Sequence, residues 1–449
     1  MRRRAFPRPI GRTVLCLLFA CGPAVLSWGG EPWWPQFRGP LGEGHADVDR
    51  LPLTWSETEH VAWKTPLPGR GWSSPVVGDG MVWMTTAVEI EAPPEVVKEQ
   101  QAKRTDRQPI VVCRRVDFFA LGVDLAGGKL RHKILLFSSE FPQAIHALNS
   151  YASPTPVLDH DRLYCHFGTF GTACVDTATG KIVWTNRSIK VQHENGPGST
   201  PVLWKDKLIV HFDGSDRQSI VAFDARSGDV AWRTPRSGEM RDNPQFKKAY
   251  GTPLIVPVAG RPMLLSPAAD WLYAYDPDTG KEFWKMSYGR LGFSNVPRPV
   301  TGHGLIYIST SFGQTSLLAV RPAARRGTIE WEWTRQVPRM SSPVVVGDEI
   351  YFVSDRGIAT CLDARSGKQR WVKRLGGNYS ASPLAAGGRI YFFSRGNDSK
   401  KCTTTVIAAS PHFRRLAKNV LDGSFYASPA AIEGALILRT DQALYRIEE

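Results

Sequence analysis

The sequence predicts an all-β chain: an eight-bladed β-propeller of four-stranded antiparallel blades, closed by an N-terminal strand that joins the C-terminal blade. Three observations predict it. The first is a recurring hairpin. Tyr273 to Trp284 reads YAYDPDTGKEFW, and Cys174 to Trp184, Ala222 to Trp232 and Cys361 to Trp371 keep its Asp, Gly and Trp spacing. The Gly supplies the positive φ of a tight turn and the Asp carboxylate can bond turn amides. The Trp carries apolar area that a lone hairpin could not cover, so another sheet must lie against it. The second observation is a Ser/Thr-Pro pair upstream of each hairpin, at Ser74-Pro75, Ser153-Pro154, Thr200-Pro201, Thr252-Pro253, Ser342-Pro343, Ser382-Pro383 and Ser428-Pro429, with Arg298-Pro299 as a degenerate copy. Successive prolines are 79, 47, 52, 46, 44, 40 and 46 residues apart. Apart from the first interval, this is the period of a four-stranded blade. The third is a complementary deficit at the two ends. Val61 to Lys64 copies an outer, Trp-bearing strand with no inner strands before it, while the last repeat has strands at Ala435 to Arg439 and Ala443 to Ile447 and then stops. Joining them completes the eighth blade and leaves no open edge.

In chain order, residues 1–30 look like an export signal, with a basic stretch from Arg2 to Arg12, an apolar core from Val14 to Ala20, and small residues after it. Cleavage is expected near Ser27 to Gly30, which discards Cys21. The alternative is a lipoprotein cleavage box at Leu18-Phe19-Ala20-Cys21, in which Phe19 is unusual and which would anchor a lipidated Cys21 in a membrane. Residues 31–59, opening on Trp33-Trp34-Pro35-Gln36-Phe37-Arg38, lack periodicity and read as an extended segment packed over the side or one face of a propeller that spans residues 60–449. Within blade one, residues 89–110 are rich in Glu, Lys, Arg and Gln and form a solvated, partly helical excursion that accounts for the long first interval. Blade one has His132 where others have Trp, and blade seven offers Leu416.

Composition excludes several classes. The net charge is +14, and removal of the five arginines in the first 12 residues leaves +9, spread along the chain. No basic run tracks a phosphate backbone, so nucleic acid is not an expected partner. No apolar run is long enough to span a bilayer. Gly-rich phosphate loops, paired Cys-x-x-Cys, His-x-x-x-His and nucleophile elbows are all missing from the sequence. Five cysteines follow the signal, and they read as small buried filler; Cys165 and Cys174, equidistant from Thr169-Phe170, could face each other across a hairpin, and the sequence leaves a disulfide between them open.

In a four-stranded blade, the loop entering the innermost strand and the loop between strands two and three open on the same face. That face collects the polar and aromatic residues. Entering loops supply Trp72, Tyr151, His193, Glu194, Arg241, Tyr250, Arg298, Arg339, Asn378 and Tyr426, and the other loops supply Asp213, Asp216, Asp270, Asp355, Arg356 and Arg395. Around blade three, His193, Glu194, His211, Asp213, Asp216 and Arg241 could converge on the rim of the axial channel. Such a group either coordinates a hard cation or acts as acid and base, or forms a salt-bridged rim. The candidate ligand-binding residues are therefore His193, Glu194, Asp213, Asp216, Arg241, Tyr250, Asp270, Arg298 and Asp355, with no catalytic residue assigned. Tyr151, Tyr250, Tyr379 and Tyr426 recur before the Ser/Thr-Pro pair and suggest a ring for stacking a flat ligand or peptide.

At the hairpins, A-x-D-x-x-T-G-x-x-x-W resembles the repeat of pyrroloquinoline-quinone-type propellers, and Ala274 to Trp284 matches it throughout. That resemblance implies either a quinoprotein dehydrogenase, which holds the quinone with Ca²⁺ over a Trp floor beneath a disulfide between adjacent cysteines, or a non-enzymatic propeller such as the lipoprotein that assists outer-membrane barrel assembly. No two cysteines are adjacent here. The expectation is an exported, non-catalytic binding or scaffold protein of the periplasm or cell envelope that needs no cofactor and takes a protein, peptide or small ligand on its loop-rich face. The alternative is a quinone- and Ca²⁺-dependent oxidoreductase acting on an alcohol or sugar.

Overall fold

The computed structural model describes residues 32–48, 50–104, 108–289, 292–396 and 400–449. The signal read over residues 1–30, with Cys21, lies outside them, as do residues 105–107 of the charged insertion. Eight four-stranded antiparallel sheets follow one another around an axis. Blade one consists of Val76–Gly78, Met81–Glu91, Cys113–Asp124 and Leu130–Glu140 from axis to rim, and the charged insertion leaves between its second and third strands as the helix Pro94–Ala102. Blades two to seven begin at Val157, Val202, Leu254, Val300, Val344 and Leu384. Blade eight is Ala430–Ile432, Ala435–Arg439 and Ala443–Glu448, completed on the outside by Val61–Pro66, with Lys64 opposite Tyr445 and Pro66 opposite Ala443.

The apolar core lies between blades. One buried cluster joins blades one and two, others join two to three, three to four, four to five, five to six and six to seven, and the largest joins seven, eight and one. Each strand alternates its side chains between two faces, and both faces meet a neighbour, so the inner strands read as nearly continuous hydrophobic runs.

The hairpin motif is the clamp between those faces. Its Asp accepts turn amides, as where Asp176 takes the N–H of Thr179 and Asp363 that of Ser366, both at 2.8 Å. The turn Gly then presents bare backbone to the preceding blade. A Cβ on Gly128, Gly228, Gly280 or Gly367 would stand 2.4–2.8 Å from the indole of Trp63, Trp184, Trp232 or Trp331 respectively. The indole N–H finishes the contact on a carbonyl of the next blade: Trp63 on Leu125, Trp184 on Ala225, Trp284 on Ala323, Trp331 on Ala364 and Trp371 on Ser410, at 2.9–3.2 Å. His132 occupies this place on Gly180. Strand register corrects one reading: the position equivalent to Trp in blade seven is Ala417, opposite Val406, rather than Leu416.

A second ring runs near the axis and explains the Ser/Thr-Pro marker. The N–H of Ser74 donates to Thr155 Oγ1, Thr155 to Thr200, Thr200 to Thr252, Arg298 to Ser342, Ser342 to Ser382, Ser382 to Ser428, and Ser428 back to Ser74, at 2.9–3.3 Å. The hydroxyl of one blade thus satisfies the amide that precedes the inner strand of its neighbour, while the following Pro fixes φ where the strand begins. In blade two the ring member is Thr155, followed by Pro156; Ser153-Pro154, marked from sequence, lies two residues too early. Arg298 interrupts the ring of hydroxyls.

Residues 32–48 cross the propeller on the side away from the loop-rich face. Trp34 exchanges two 2.8 Å backbone bonds with Val77 of blade one, Leu158 of blade two donates to Pro35, and Ala46 and Gly44 pair with Ala385 of blade seven. Between these ends Arg38 donates to Pro343, and Arg298 reaches down to Phe37. The segment therefore plugs the axial channel. Burial and mutual repulsion push the Arg38 guanidinium down to about 9, and burial takes Arg298 to about 10, with Glu43 opposing both shifts.

The cysteine question resolves through register. Cys165 pairs with Ala173 and Cys174 with Tyr164, so the two cysteines are one place out of step and point to opposite faces of the sheet. Both are free thiols, in different core clusters.

The docking contact predicts two costly substitutions. Trp284→Ala removes a 6% exposed indole and its bond to Ala323, and should cost about 3–5 kcal/mol. Gly280→Ala forces a Cβ to 2.5 Å from Trp232 at φ +71, and should cost at least about 1–2 kcal/mol. Urea unfolding at constant m-value measures both, and a shift below about 0.5 kcal/mol in either would contradict the assigned contact.

Candidate binding cup

Above the plug, the axial channel widens into a cavity of about 790 Å³ that opens among the loops entering the inner strands. Its base is the hydroxyl ring, contributed by Ser74, Thr155, Thr200, Thr252, Ser382 and Ser428, with Phe37 from the plug. Polar residues form this floor because their oxygens already serve the amide ring, which leaves a polar but committed surface.

The walls are aromatic and cationic. Trp72, from the loop entering blade one, stacks on Tyr426 from the loop entering blade eight, with centroids 4.1 Å apart and planes at 10°. Arg395 lies over the same Tyr426 at 5.2 Å. On the other side a two-residue ladder, Gly292–Phe293 with Phe312–Gly313, presents two Phe rings 6.5 Å apart, and Arg339 lies 5.6 Å over Phe312. A second small ladder, Ile110–Val111 with Ile145–His146, raises His146 and Leu148 on the rim.

Of the nine candidate residues, Tyr250 and Asp355 line the cup. The others are divided among separate structural pairs and do not converge. Asp213 is gripped by Arg236 through two bonds of 3.0 and 2.7 Å, and neither side chain touches solvent. Burial pushes the Asp213 carboxyl up while the bidentate guanidinium opposes that shift; the two-pronged, fully buried geometry holds both partners charged at neutral pH. Asp270 forms the same fork with Arg241, at 2.6 and 2.7 Å. Glu194 pairs with Lys248, a lining residue whose side chain is almost wholly covered. Asp216 accepts the N–H of Gln192 at 2.7 Å. His193 is 5% exposed and takes the N–H of Thr169 on Nε2. Arg298 points into the plug, with its terminal nitrogens against Gly42. The expected rim cluster is thus a set of braces holding neighbouring loops.

The expected tyrosine ring is likewise corrected. Tyr151 and Tyr379 are fully buried, and Tyr151 donates to Gln143 O. Tyr250 donates to His193 O. Only Tyr250 and Tyr426 of the four reach the cavity. Two groups escaped the sequence reading altogether. Arg236 follows the outer strand of blade three with no motif to mark it. Phe293 and Phe312 each stand next to a glycine, and that repeated Phe–Gly pairing was their one signal.

The donor set does not suit a quinone resting on Ca²⁺. Calcium takes about six to eight oxygens, several of them carboxylate, whereas the cup lining offers one carboxylate, Asp355. Its Oδ1 accepts the backbone N–H of Arg339 at 3.0 Å, and Arg339 and Arg395 supply the nearest charge. Among the described residues no three His, Cys, Asp or Glu side chains stand together as a metal site.

Fold and cavity define a closed, eight-bladed propeller with a blind axial cup. Residues 123–360 and 268–411 match the sequence model of a family described as outer membrane protein assembly factor BamB, and the chain belongs to this family of pyrroloquinoline-quinone-like propellers. A BamB of Shewanella oneidensis is 22% identical over 245 residues, covering 50% of this chain and 57% of that protein. A BamB of Yersinia pestis is 22% identical over 191 residues, 40% of this chain and 44% of that protein. The matched region thus spans about half the length of each relative. Among solved structures, a europium-containing methanol dehydrogenase superposes with a TM-score of 0.61 at 12% identity, over 92% of this chain and 90% of that one. A computationally designed protein, Ika8, gives 0.54 at 9% identity, over 86% and 100%. These two likenesses establish the fold alone.

The buried imidazoles set a pH dependence. Burial pushes His193 down to about 4 and His166 to about 3, and holds His211 well below the ordinary value. Between these values and about 6.5 the unfolded chain binds protons that the folded chain refuses, so stability is complete above pH 6.5 and falls as pH drops toward 4. His193 alone should account for on the order of 3 kcal/mol. Urea midpoints measured from pH 7 to 4.5 should fall, and His193→Gln should flatten that slope. An identical slope in the variant would remove His193 from the explanation.

Proposed function

We propose that this chain is an exported, non-catalytic scaffold of the cell envelope that binds a protein partner through the axial cup and requires no cofactor. The observation that carries the proposal is the division of side chains. Two of the carboxylates and one of the imidazoles that a catalyst would need are bound in internal pairs, with Asp213 on Arg236, Asp270 on Arg241, and His211 on Ser266 at 2.7 Å, while the cup presents aromatic faces and guanidinium groups with Asp355 as its one carboxylate. Aromatic and arginine surfaces are those that anchor protein partners. Family membership supports the same reading, since both curated relatives carry the name of an outer membrane assembly factor. The basic and apolar N-terminal stretch supports export, with membrane contact through Cys21 if that residue is lipidated.

A photo-crosslinking residue at Leu148, on the cup rim, tests this in intact cells. It should capture outer-membrane barrels or their insertion machinery, whereas the same residue at Val420 on the outer surface should not. Capture of no envelope protein from the cup would defeat the proposal. So would retention of pyrroloquinoline quinone with Ca²⁺ by purified protein, accompanied by dye reduction on adding an alcohol or sugar.

A further inference from the structure

The cup has a shape and a charge that narrow what enters it. Its volume of about 790 Å³ lies within the roughly 300–1,000 Å³ typical of clefts for small ligands, so it admits a short chain segment and no folded domain. The plug closes the far end, with backbone bonds from Trp34 to Val77 and from Ala46 to Ala385. A partner strand therefore cannot thread through; it enters and leaves by one mouth, as a loop tip or a chain end.

Charge is distributed with equal asymmetry. Arg339, Arg356 and Arg395 stand on the wall made by blades five to seven, and Asp355 is the carboxylate among them. Arg339 and Arg356 are exposed, and neither makes an ion pair among the described residues. Elsewhere in this protein guanidinium groups of the loop-rich face are forked onto carboxylates, as at Arg236 and Arg241. Leaving like charges together in a recess lowers stability through repulsion and raises the local potential for anions. The Trp72–Tyr426 stack stands beside Arg395, with Leu148 on the rim, and the Phe293 and Phe312 rings stand beside Arg339.

We propose that the cup receives the acidic tip of a partner protein, an Asp/Glu-bearing loop or terminus that also carries an aromatic side chain. Its carboxylates take the Arg339 and Arg356 guanidiniums in forked hydrogen bonds, and its ring inserts between the Phe293–Phe312 and Trp72–Tyr426 walls. This rests on the binding role proposed above and specifies the chemistry of the bound element.

The test uses two fluorescein-labelled peptides of the same length, one alternating Glu with Phe and one alternating Lys with Phe, titrated into the full mature chain while anisotropy is read. The Glu/Phe peptide should bind, more weakly as salt rises, and the Lys/Phe peptide should not. R339E/R356E should weaken Glu/Phe binding at least tenfold and acquire Lys/Phe binding, and R339K/R356K should fall between it and the native chain. The gain of the opposite peptide cannot come from misfolding, and an unchanged thermal midpoint guards the loss. Equal binding of both peptides, or indifference to the charge reversal, would overturn the inference. So would displacement of the acidic peptide by phosphatidylglycerol vesicles that bind the native chain and not R339E/R356E, because that would make the cup a headgroup site. If cup crosslinks capture envelope proteins while the acidic peptide neither binds nor competes, the acidic-tip inference fails and the binding role stands; if the peptide binds and no envelope protein is captured, the binding role fails.

Discussion

Indole on glycine is the contact from which the rest of this molecule is assembled. A blade is a small twisted sheet with two apolar faces, and alone it would be unstable in water. The Trp at its outer edge covers the bare turn of the next blade and donates its N–H to that blade's carbonyl, as Trp184 does on Gly228 and Ala225. One side chain thereby covers apolar area, satisfies a backbone acceptor and sets the distance between sheets. Where the contact is imperfect the protein compensates locally. The Trp232 indole N–H, although buried, has no acceptor among the described residues, yet the ring still packs on Gly280. Trp371 meets no turn glycine but packs edge-on against Phe413 at 5.1 Å. In blade seven no indole exists, and there the long outer strand Arg415–Asp422 is tied by Asn419 to Leu53 and Trp55 of the N-terminal segment.

Closure of the ring has a consequence for the axis. Eight blades surround an axial channel, and the chain supplies a segment to block it. Because that segment bonds to the inner strands of blades one and seven, it also spans the seam where the two chain ends meet. Arg38 and Arg298 are the costly part of this arrangement, two buried cations without a forked carboxylate between them. Burying a charge without full pairing is unfavourable, and here the penalty is spread over carbonyls of Phe37, Glu43 and Pro343. The result is a cup in place of a pore.

Much of this was legible in the sequence, and the limits have physical causes. Blade number, the shared eighth blade and the loop-rich face follow from the spacing of Asp, Gly, Trp and Ser/Thr-Pro, because each of those residues does a local job that its position alone reveals. Pairing between distant loops does not follow. His193, Asp213, Asp216 and Arg241 are all on the expected face, yet whether they converge depends on which cation each carboxylate meets, and Arg236 carried no signal. The two-residue slip at Ser153-Pro154 has the same origin. Blade two contains two consecutive Ser/Thr-Pro pairs, and only the hydroxyl ring, a relation between blades, selects Thr155. The direction of Cys165 and Cys174 turned on a single step of strand register, which no loop length could fix.

The same distinction between local and relational information explains why fold and function separate in this architecture. The europium-containing methanol dehydrogenase shares the wheel at 12% identity, so the scaffold tolerates wide divergence of sequence and says nothing about the axis. What a propeller does is decided by which charges its upper loops leave uncommitted. Here the acidic groups are nearly all consumed in bracing the loops of blades two to four, and the exposed cations sit across the cavity on blades five to seven. A surface built this way is poor at gathering a hard cation and well suited to holding an anion against an aromatic wall, so the chemistry of the cup follows from how the loops are braced.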